Sequence, residues 1–453
     1  MGMATPRIIS FTDLERWDVK YFLTKIKSKF PLVSLAEFVT EHNEKIRPYD
    51  SPRESFKILG VNNTNGIFHA YDAQGKDIKQ PYKKVSAGDF AYNPYRINVG
   101  SIGRVPQEHD GAFISPAYVV FSVDKAVVLP EVFWFILKSA FFNQTLRAAT
   151  AGSVRMNLTY PLLETLKIPI PPLSVQKKIV TYWESAVAEA IQLEDKSKAT
   201  IDESMRIFIQ ELGLSMPKNQ KSDKLIIGQW KDFDRWSVSY NQAASTIMDL
   251  TKGKFPIVEL GAILDLVQYG TSEKTNSNGE GVCVIRMNNI VDGDLDISNL
   301  KHLKVSKVIE ESLKLISGDI LINRTNSKEL VGKCAVFDKK ETYIFASYLI
   351  RLRVDPEKAD PHFVAFAING PIGRLQINAL SRQIIGQANI NSTEIQSLKL
   401  PLPNLNVQQK LIKKTMQERL KAASLRAASK ELLGKATSGV EQMLLGTRPV
   451  EDI

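Results

Sequence analysis

The sequence predicts an α+β fold made twice: two similar strand-rich domains, each followed by a long α-helix, the two helices pairing as an antiparallel coiled coil. Three observations predict it. An internal repeat has a period of about half of the 453-residue chain. Within each copy, short apolar or alternating runs are broken by Gly, Asn and Asp turns. Each copy then changes abruptly to apolar residues at three- and four-residue spacing.

The repeat is legible residue by residue. The stretch Asp13 to Tyr21, with Arg16, Trp17 and Val19, is echoed by Asp232 to Tyr240, with Arg235, Trp236 and Val238. KFPLVSL from Lys29 returns as KFPIVEL from Lys254, and the turn Gly88-Asp89 returns as Gly318-Asp319. PIPPLSVQKKI from Pro169 returns as PLPNLNVQQKL from Pro401, and Asn157 and Asn389 stand equally far before those prolines. The offset between copies widens along the chain, so loop lengths have diverged.

SPAYVVFSVD and YLIRLRV read as strands, and short helices are expected near LPEVFWFILKSAFF and PHFVAFAI. Pro171-Pro172 sets the start of the first long helix. Its stripe is Ile179, Tyr182, Ala186, Ala190, Leu193, Ile201, Met205, Phe208 and Leu212, and at 1.5 Å per residue it is on the order of 55 Å long. The second helix follows Pro403 with Val407, Leu411, Met416, Leu420, Ala423 and Ala427; Gly434 and Gly439 predict a kink or fraying. Such stripes need partners, and antiparallel pairing would hold the two domains apart. The expected organisation is a first domain over 1–172, its helix over 173–215, a connector over 216–230, a second domain over 231–404, and the second helix and tail over 405–453.

Composition narrows the function classes. A net charge of +10 suits a polyanionic partner. The greasiest stretch, VFWFILKSAFF, is about half a membrane span and carries Lys138, so no membrane role is expected. The N-terminus lacks the apolar core of a secretion signal, so a cytoplasmic location is expected. Cys283 and Cys334 each sit in an apolar run and read as small buried hydrophobes.

The sequence carries no common catalytic constellation. The five histidines are scattered, and HExxH, CxxC, GxxxxGK[ST], GxGxxG opening a helix, and GxSxG are all missing. Asn93-Pro94-Tyr95 imitates an amino-methyltransferase motif without its second proline or glycine-rich loop. Asp319 with Asp338-Lys339-Lys340 imitates a nuclease metal site, but a Gly-Asp pair before a strand is usually a turn. No catalytic residue and no metal ligand is assigned, and the sequence supports a binder.

The duplicated junction before two long helices resembles the specificity subunits of type I restriction–modification enzymes. GDFAYNPYRINVGSIG, GDILINRTNSKELVG and VIRMNNIVDGDLDI are similar to segments of that family's target recognition domains. The family pattern usually has Glu-Gln at the junction, where this chain has Val175-Gln176 and Val407-Gln408. The resemblance implies a non-catalytic subunit whose two domains each read one half of a split double-stranded DNA site. It implies docking of methyltransferase subunits, two of them, and of motor–nuclease subunits. No cofactor is expected in this chain; S-adenosylmethionine, ATP and Mg belong to the partners.

Polar and basic residues of Gly/Asn-rich loops are the candidate DNA readers. In the first domain these are Tyr82, Lys83, Lys84, Asn93, Tyr95, Arg96, Asn98, Arg155 and Asn157. In the second they are Lys274, Asn276, Arg286, Asn288, Asn323, Arg324, Asn326, Lys328, Arg382, Gln383 and Gln387. Arg matches guanine edges, Asn and Gln match adenine edges, and Lys more often meets phosphate. Asn157 and Asn389, and the repeated Arg-Trp pairs, recur in both copies and so also fit structural roles. Two other readings stay open: a methylation-only or phage-defence subunit of the same fold, and a coiled-coil scaffold with no DNA role.

Overall fold

The computed structural model describes residues 26–97, 100–149, 157–216, 248–384 and 387–450. The echoed Arg-Trp segments and nearly all of the connector lie outside them. The chain divides into two compact units, residues 1–193 with 427–453, and residues 194–426. The division falls inside both long helices.

In the first unit a four-stranded antiparallel sheet runs in the order Val39–Glu41, Val119–Val123, Phe90–Tyr92, Ile102–Arg104. A five-stranded sheet orders Lys45–Ile46, Tyr82–Lys84, Phe113–Ile114, Ser55–Asn62 and Gly66–Gln74. The strands Leu32–Ser34 and Lys167–Pro169 pair with Leu32 opposite Pro169. Helices Pro130–Lys138 and Ala140–Ala149 cover the four-stranded sheet. The core there is aromatic: Phe90 stacks on Phe121 at 5.6 Å between ring centroids, and Phe133 meets both edge-on.

The second unit repeats the plan. Leu264–Tyr269, Leu349–Val354, Ile320–Asn323 and Cys334–Val336 form a sheet of the same order. Ile257–Glu259 pairs with Lys399–Pro401, Ile257 opposite Pro401. Helices Pro361–Asn369 and Pro371–Leu380 pack on the sheet, and Phe208 of the first long helix meets Phe366 at 4.8 Å. The remaining strands break into smaller sheets, including Thr325–Asn326, Gln387–Asn389 and Arg382–Ile384.

The Gly-Asp turns are one device built twice. Gly88 and Gly318 both have φ +95°, where a side chain is strained. Asp89 accepts from the Ser86 N–H at 2.8 Å, and Asp319 from the Ile316 N–H at 2.9 Å. Cys334 is buried as expected, its thiol pushed up to about 12 by desolvation. Cys283 is only half-buried, because its strand lies on a smaller sheet, and its Sγ is 3.4 Å from His302 Nε2.

The long helices span Leu173–Glu211 and Leu405–Leu444. They run antiparallel. In the first unit Ser429 Oγ donates to the Ala190 carbonyl at 3.1 Å, and Gly439 lies against Tyr182. In the second unit Ser197 Oγ donates to the Ala422 carbonyl at 2.8 Å, and Phe208 and Ile209 share a core with Leu411 and Ile412.

Two sequence expectations for the second helix fail. It does not break at Gly434 or Gly439. At Gly439 a Cβ would come within 2.8 Å of the Tyr182 hydroxyl, so the glycine admits a close contact rather than ending the helix. Nor do Leu420, Ala423 and Ala427 face inward: Leu420 is 72% exposed, and the other two are exposed. The buried face instead uses Thr415, Ala422, Ser429, Ala436 and Val440. Small residues let the backbones approach, and the hydroxyls satisfy themselves on carbonyls, so a stripe traced through large apolar residues misses it.

Candidate nucleic-acid interface

The two units share one loop position on the four-stranded sheet. The strand after each Gly-Asp turn leads to a matched asparagine, Asn93 just past Phe90–Tyr92 and Asn323 at the end of Ile320–Asn323, and each asparagine N–H bonds across the hairpin, to the carbonyls of Ser101 and Lys333. Beyond that point the copies diverge: Pro94-Tyr95-Arg96 in one, Arg324-Thr325-Asn326 in the other.

In the second unit the divergent loop becomes part of a three-stranded sheet. Thr325–Asn326 pairs with Gln387–Asn389, which pairs with Arg382–Ile384. These pairings gather Asn326, Arg382, Gln383 and Gln387 onto one small sheet directly after Arg324, with Asn326 on the side of buried Ala388 and exposed Gln387 on the other, and with exposed Lys328 in the following loop. The side chains of Arg382 and Gln383 fall outside the description. Asn389 accepts from Thr325 Oγ1 at 2.6 Å, a bond that holds this sheet together. Arg324 is pinned through its backbone: its N–H donates to Tyr348 O at 3.0 Å, and its carbonyl accepts from the Ile390 N–H at 2.9 Å. Its guanidinium lies 4.9 Å over the Tyr269 ring. The Tyr269 hydroxyl is 3.1 Å from Ser392 Oγ and accepts from the Ser392 N–H at 3.0 Å. Tyr348, half-exposed, completes the patch.

Other residues proposed from the sequence are engaged elsewhere. Asn323 is 1% exposed and donates to Leu330 O at 3.3 Å. Asn276 donates to Glu280 O and accepts from the Asn278 N–H, so it forms its own turn. Arg286 reaches Asn299 O at 3.4 Å. Lys274, on a loop beside Asn276, and Asn288, in the 3-10 turn Met287–Asn289 after Arg286, are exposed and apart in the chain from the three-stranded sheet.

In the first unit Asn93 Oδ1 accepts from the Tyr95 N–H at 3.0 Å, a turn that presents Tyr95 and Arg96 to solvent. The loop is tied down where the Leu158 N–H donates to Pro94 O and the Tyr92 hydroxyl donates to Leu158 O, which places Asn157 beside it. Asn157 Oδ1 is buried with no hydrogen-bond partner among the described residues. Lys84 is exposed. Tyr82 and Lys83 are not surface residues: the short strand that carries them is interior to the five-stranded sheet. Lys83 donates to Tyr118 O at 2.9 Å and sits 3.6 Å from the Glu41 carboxylate, and burial lowers its pKa. Asn98 and Arg155 lie outside the described residues.

Asp319 is fully buried and accepts from Arg353 Nε at 2.7 Å and Nη2 at 3.0 Å, a structural ion pair inside the turn. Among the described residues no group of three or more His, Cys, Asp or Glu could hold a metal ion, and no helix is long and apolar enough to cross a membrane.

A model of the type I restriction modification DNA specificity domain matches residues 35–203 and again 253–431. The chain belongs to that specificity-domain family. Among its relatives is the type I restriction enzyme EcoKI specificity subunit of Escherichia coli K12, 24% identical over 375 residues, covering 80% of this chain and 74% of the relative. The type I restriction enzyme MjaX specificity subunit of Methanocaldococcus jannaschii is 29% identical over 190 residues, 41% of this chain. The chain spans less than half of that relative's length, 44%. A solved chain from work on complex assembly and conformational transition of the type I R-M system shares the fold, with a TM-score of 0.51 at 17% identity over 93% of this chain and 97% of that one.

The two specificity domains also reveal residues that sequence reasoning passed over. Gln176 and Gln408, in the duplicated junction, are both fully buried. Gln176 donates to Pro171 O and Val127 O and accepts from the Leu129 N–H. Gln408 donates to Pro403 O and Lys358 O and accepts from the Asp360 N–H. Each ties the start of a long helix to the residue just before Pro130 or Pro361, which open the sheet-covering helices. The signal was the glutamine's recurrence in both copies of a specificity domain. Tyr269 and Tyr348 carried no such signal, because neither lies in a Gly/Asn-rich run.

Proposed function

We propose that the chain is the DNA-reading subunit of a type I restriction–modification complex, each unit reading one half of a two-part, asymmetric double-stranded site. One observation carries this: the same scaffold is built twice, and the copies diverge at the matching loop, Pro94-Tyr95-Arg96 against Arg324-Thr325-Asn326. Two copies of one reader with different reading edges suit two different half-sites. The net charge of +10 adds the sequence-independent attraction to phosphate. In this reading methyltransferase subunits, two per chain, use S-adenosylmethionine to modify adenine, and motor–nuclease subunits use ATP and Mg to cleave. This chain performs no chemical step; it positions the partners on their site.

The test is binding of random-sequence duplex DNA across a salt series. The logarithm of the affinity should fall linearly with that of the salt concentration, with a slope of about −0.9 per phosphate neutralised. The same preparation, given S-adenosylmethionine, ATP and Mg, should leave the DNA unmethylated and uncut. A chain that ignores DNA at low salt is a scaffold, and one that turns over by itself is an enzyme; either result defeats the proposal.

A further inference from the structure

Resting on the DNA-reading role above, we infer that Arg324 is a specificity-determining residue that reads a guanine in the half-site recognised by the second unit. The second unit gives its other described arginines an acceptor. Arg353 and Arg351 approach the Asp319 carboxylate at 2.7 and 3.6 Å. Arg419 and Arg426 pair with Asp294 and Asp292, and Arg206 pairs with Glu203. Arg286 and Arg374 donate to backbone carbonyls. Arg324 alone, among the arginines of this unit whose side chains are described, has neither a carboxylate nor a hydrogen-bond acceptor for its guanidinium. An arginine used to build a fold is normally given an acceptor, because its donors are costly to leave unmet.

The side chain is nevertheless held in place. Its backbone is bonded on both sides, its guanidinium rests over Tyr269, and the Tyr269 hydroxyl is fixed by Ser392. Nε is buried without a partner, the terminal nitrogens have no hydrogen-bond partner among the described residues, and the residue as a whole is part-buried. The planar Nη1/Nη2 fork is therefore left without a protein acceptor, and its stacking on Tyr269 holds it before any ligand arrives. That fork matches the O6 and N7 acceptors of guanine in the major groove, two parallel bonds that adenine, thymine and cytosine cannot accept. The small sheet that follows Arg324 also carries exposed Gln387, a residue type that reads adenine. Pro94, which occupies the matching position in the first unit, has no side-chain donor, so the guanine contact belongs to one half-site only.

The test uses the full chain assembled with its methyltransferase subunit. The methylated motif is mapped by sequencing genomic DNA, then methylation rates are measured on duplexes altered one base pair at a time. Arg324→Ala should lose about tenfold discrimination at a single guanine of one half-site, with the other half unchanged. Arg324→Gln, which keeps part of the stem but matches adenine edges, should lose the preference for the same guanine and guards against a misfolded alanine variant. Unchanged guanine discrimination in Arg324→Gln, a motif with no guanine, or equal weakening at every base of both halves would each overturn the assignment; the last would mark a phosphate contact. A wild-type complex with no two-part motif would instead defeat the underlying reading.

Discussion

A chain ending at Gly439 should lose the fold of the first unit while the second unit persists. The end of the second long helix and the segment after it complete the first unit's core: Val440, Met443, Leu444 and Val450 are buried beside Phe133, Phe141 and Leu146. Glu441 Oε1 accepts from the Ala140 and Phe141 N–H groups at 3.0 and 3.2 Å, at the start of the helix Ala140–Ala149. Leu445 O accepts from the Lys29 N–H at 2.9 Å. Burying four such apolar side chains is worth about 6–12 kcal/mol together, comparable with the roughly 5–15 kcal/mol that holds a domain folded. Hydrogen exchange followed by mass spectrometry gives the check: Phe90–Tyr92 and Val119–Val123 should lose protection, while Ile320–Asn323 and Leu349–Val354 keep it. Intact protection in the first unit would show that the tail is an appendage.

Replacing Gln408 by Leu should destabilise the second unit by about 3–5 kcal/mol, since each buried polar group left unpaired costs roughly 1–3 kcal/mol. The leucine would strand the Asp360 N–H and the Pro403 and Lys358 carbonyls, all now within 3.1 Å of the amide. The damage should spread, because Asp360 caps the helix Pro361–Asn369 by accepting from the His362 and Phe363 N–H groups. Gln176→Leu should do the same to the first unit through Leu129. Urea unfolding monitored separately for each unit decides it: each variant should shift one transition and spare the other. Equal small shifts in both transitions would mean that the junction glutamines are interchangeable surface amides.

Much of the fold was legible because duplication makes a sequence check itself. The Gly-Asp turns, the paired strands near Lys29 and Lys254, and the two helix starts each appeared twice, and the matched sheet orders follow from them. What was not legible depended on partners distant in sequence. Ser197 and Ser429 sit at the helix seam because their hydroxyls reach a carbonyl on the other helix, which no local periodicity reveals. The tail after Gly439 reads as the end of a helix, and only the three-dimensional core shows that it belongs with the first unit.

The interface was legible by residue type but not by orientation. Asn326 and Gln387 are brought to one small sheet beside Arg324 although two helices separate them in sequence. Lys83 and Asn323 have the right chemistry and the wrong address, because each ends or occupies a strand whose side chains the sheet buries. Asn276 illustrates a third outcome, a loop asparagine whose amide satisfies its own turn. Burial and local hydrogen bonding decide among such residues, and neither is written in the loop's composition.

The most direct test of the two-reader account is an exchange of one reader. Residues 1–172 together with 427–453, the parts assigned to the first unit outside the first helix, would be replaced by those of a relative with a different known target. The methylated site would then be mapped in cells carrying the hybrid and its methyltransferase. The account predicts a hybrid motif in which one half-site becomes the relative's and the other stays as it was. A motif in which both halves change, or one that remains wholly the original, would contradict it.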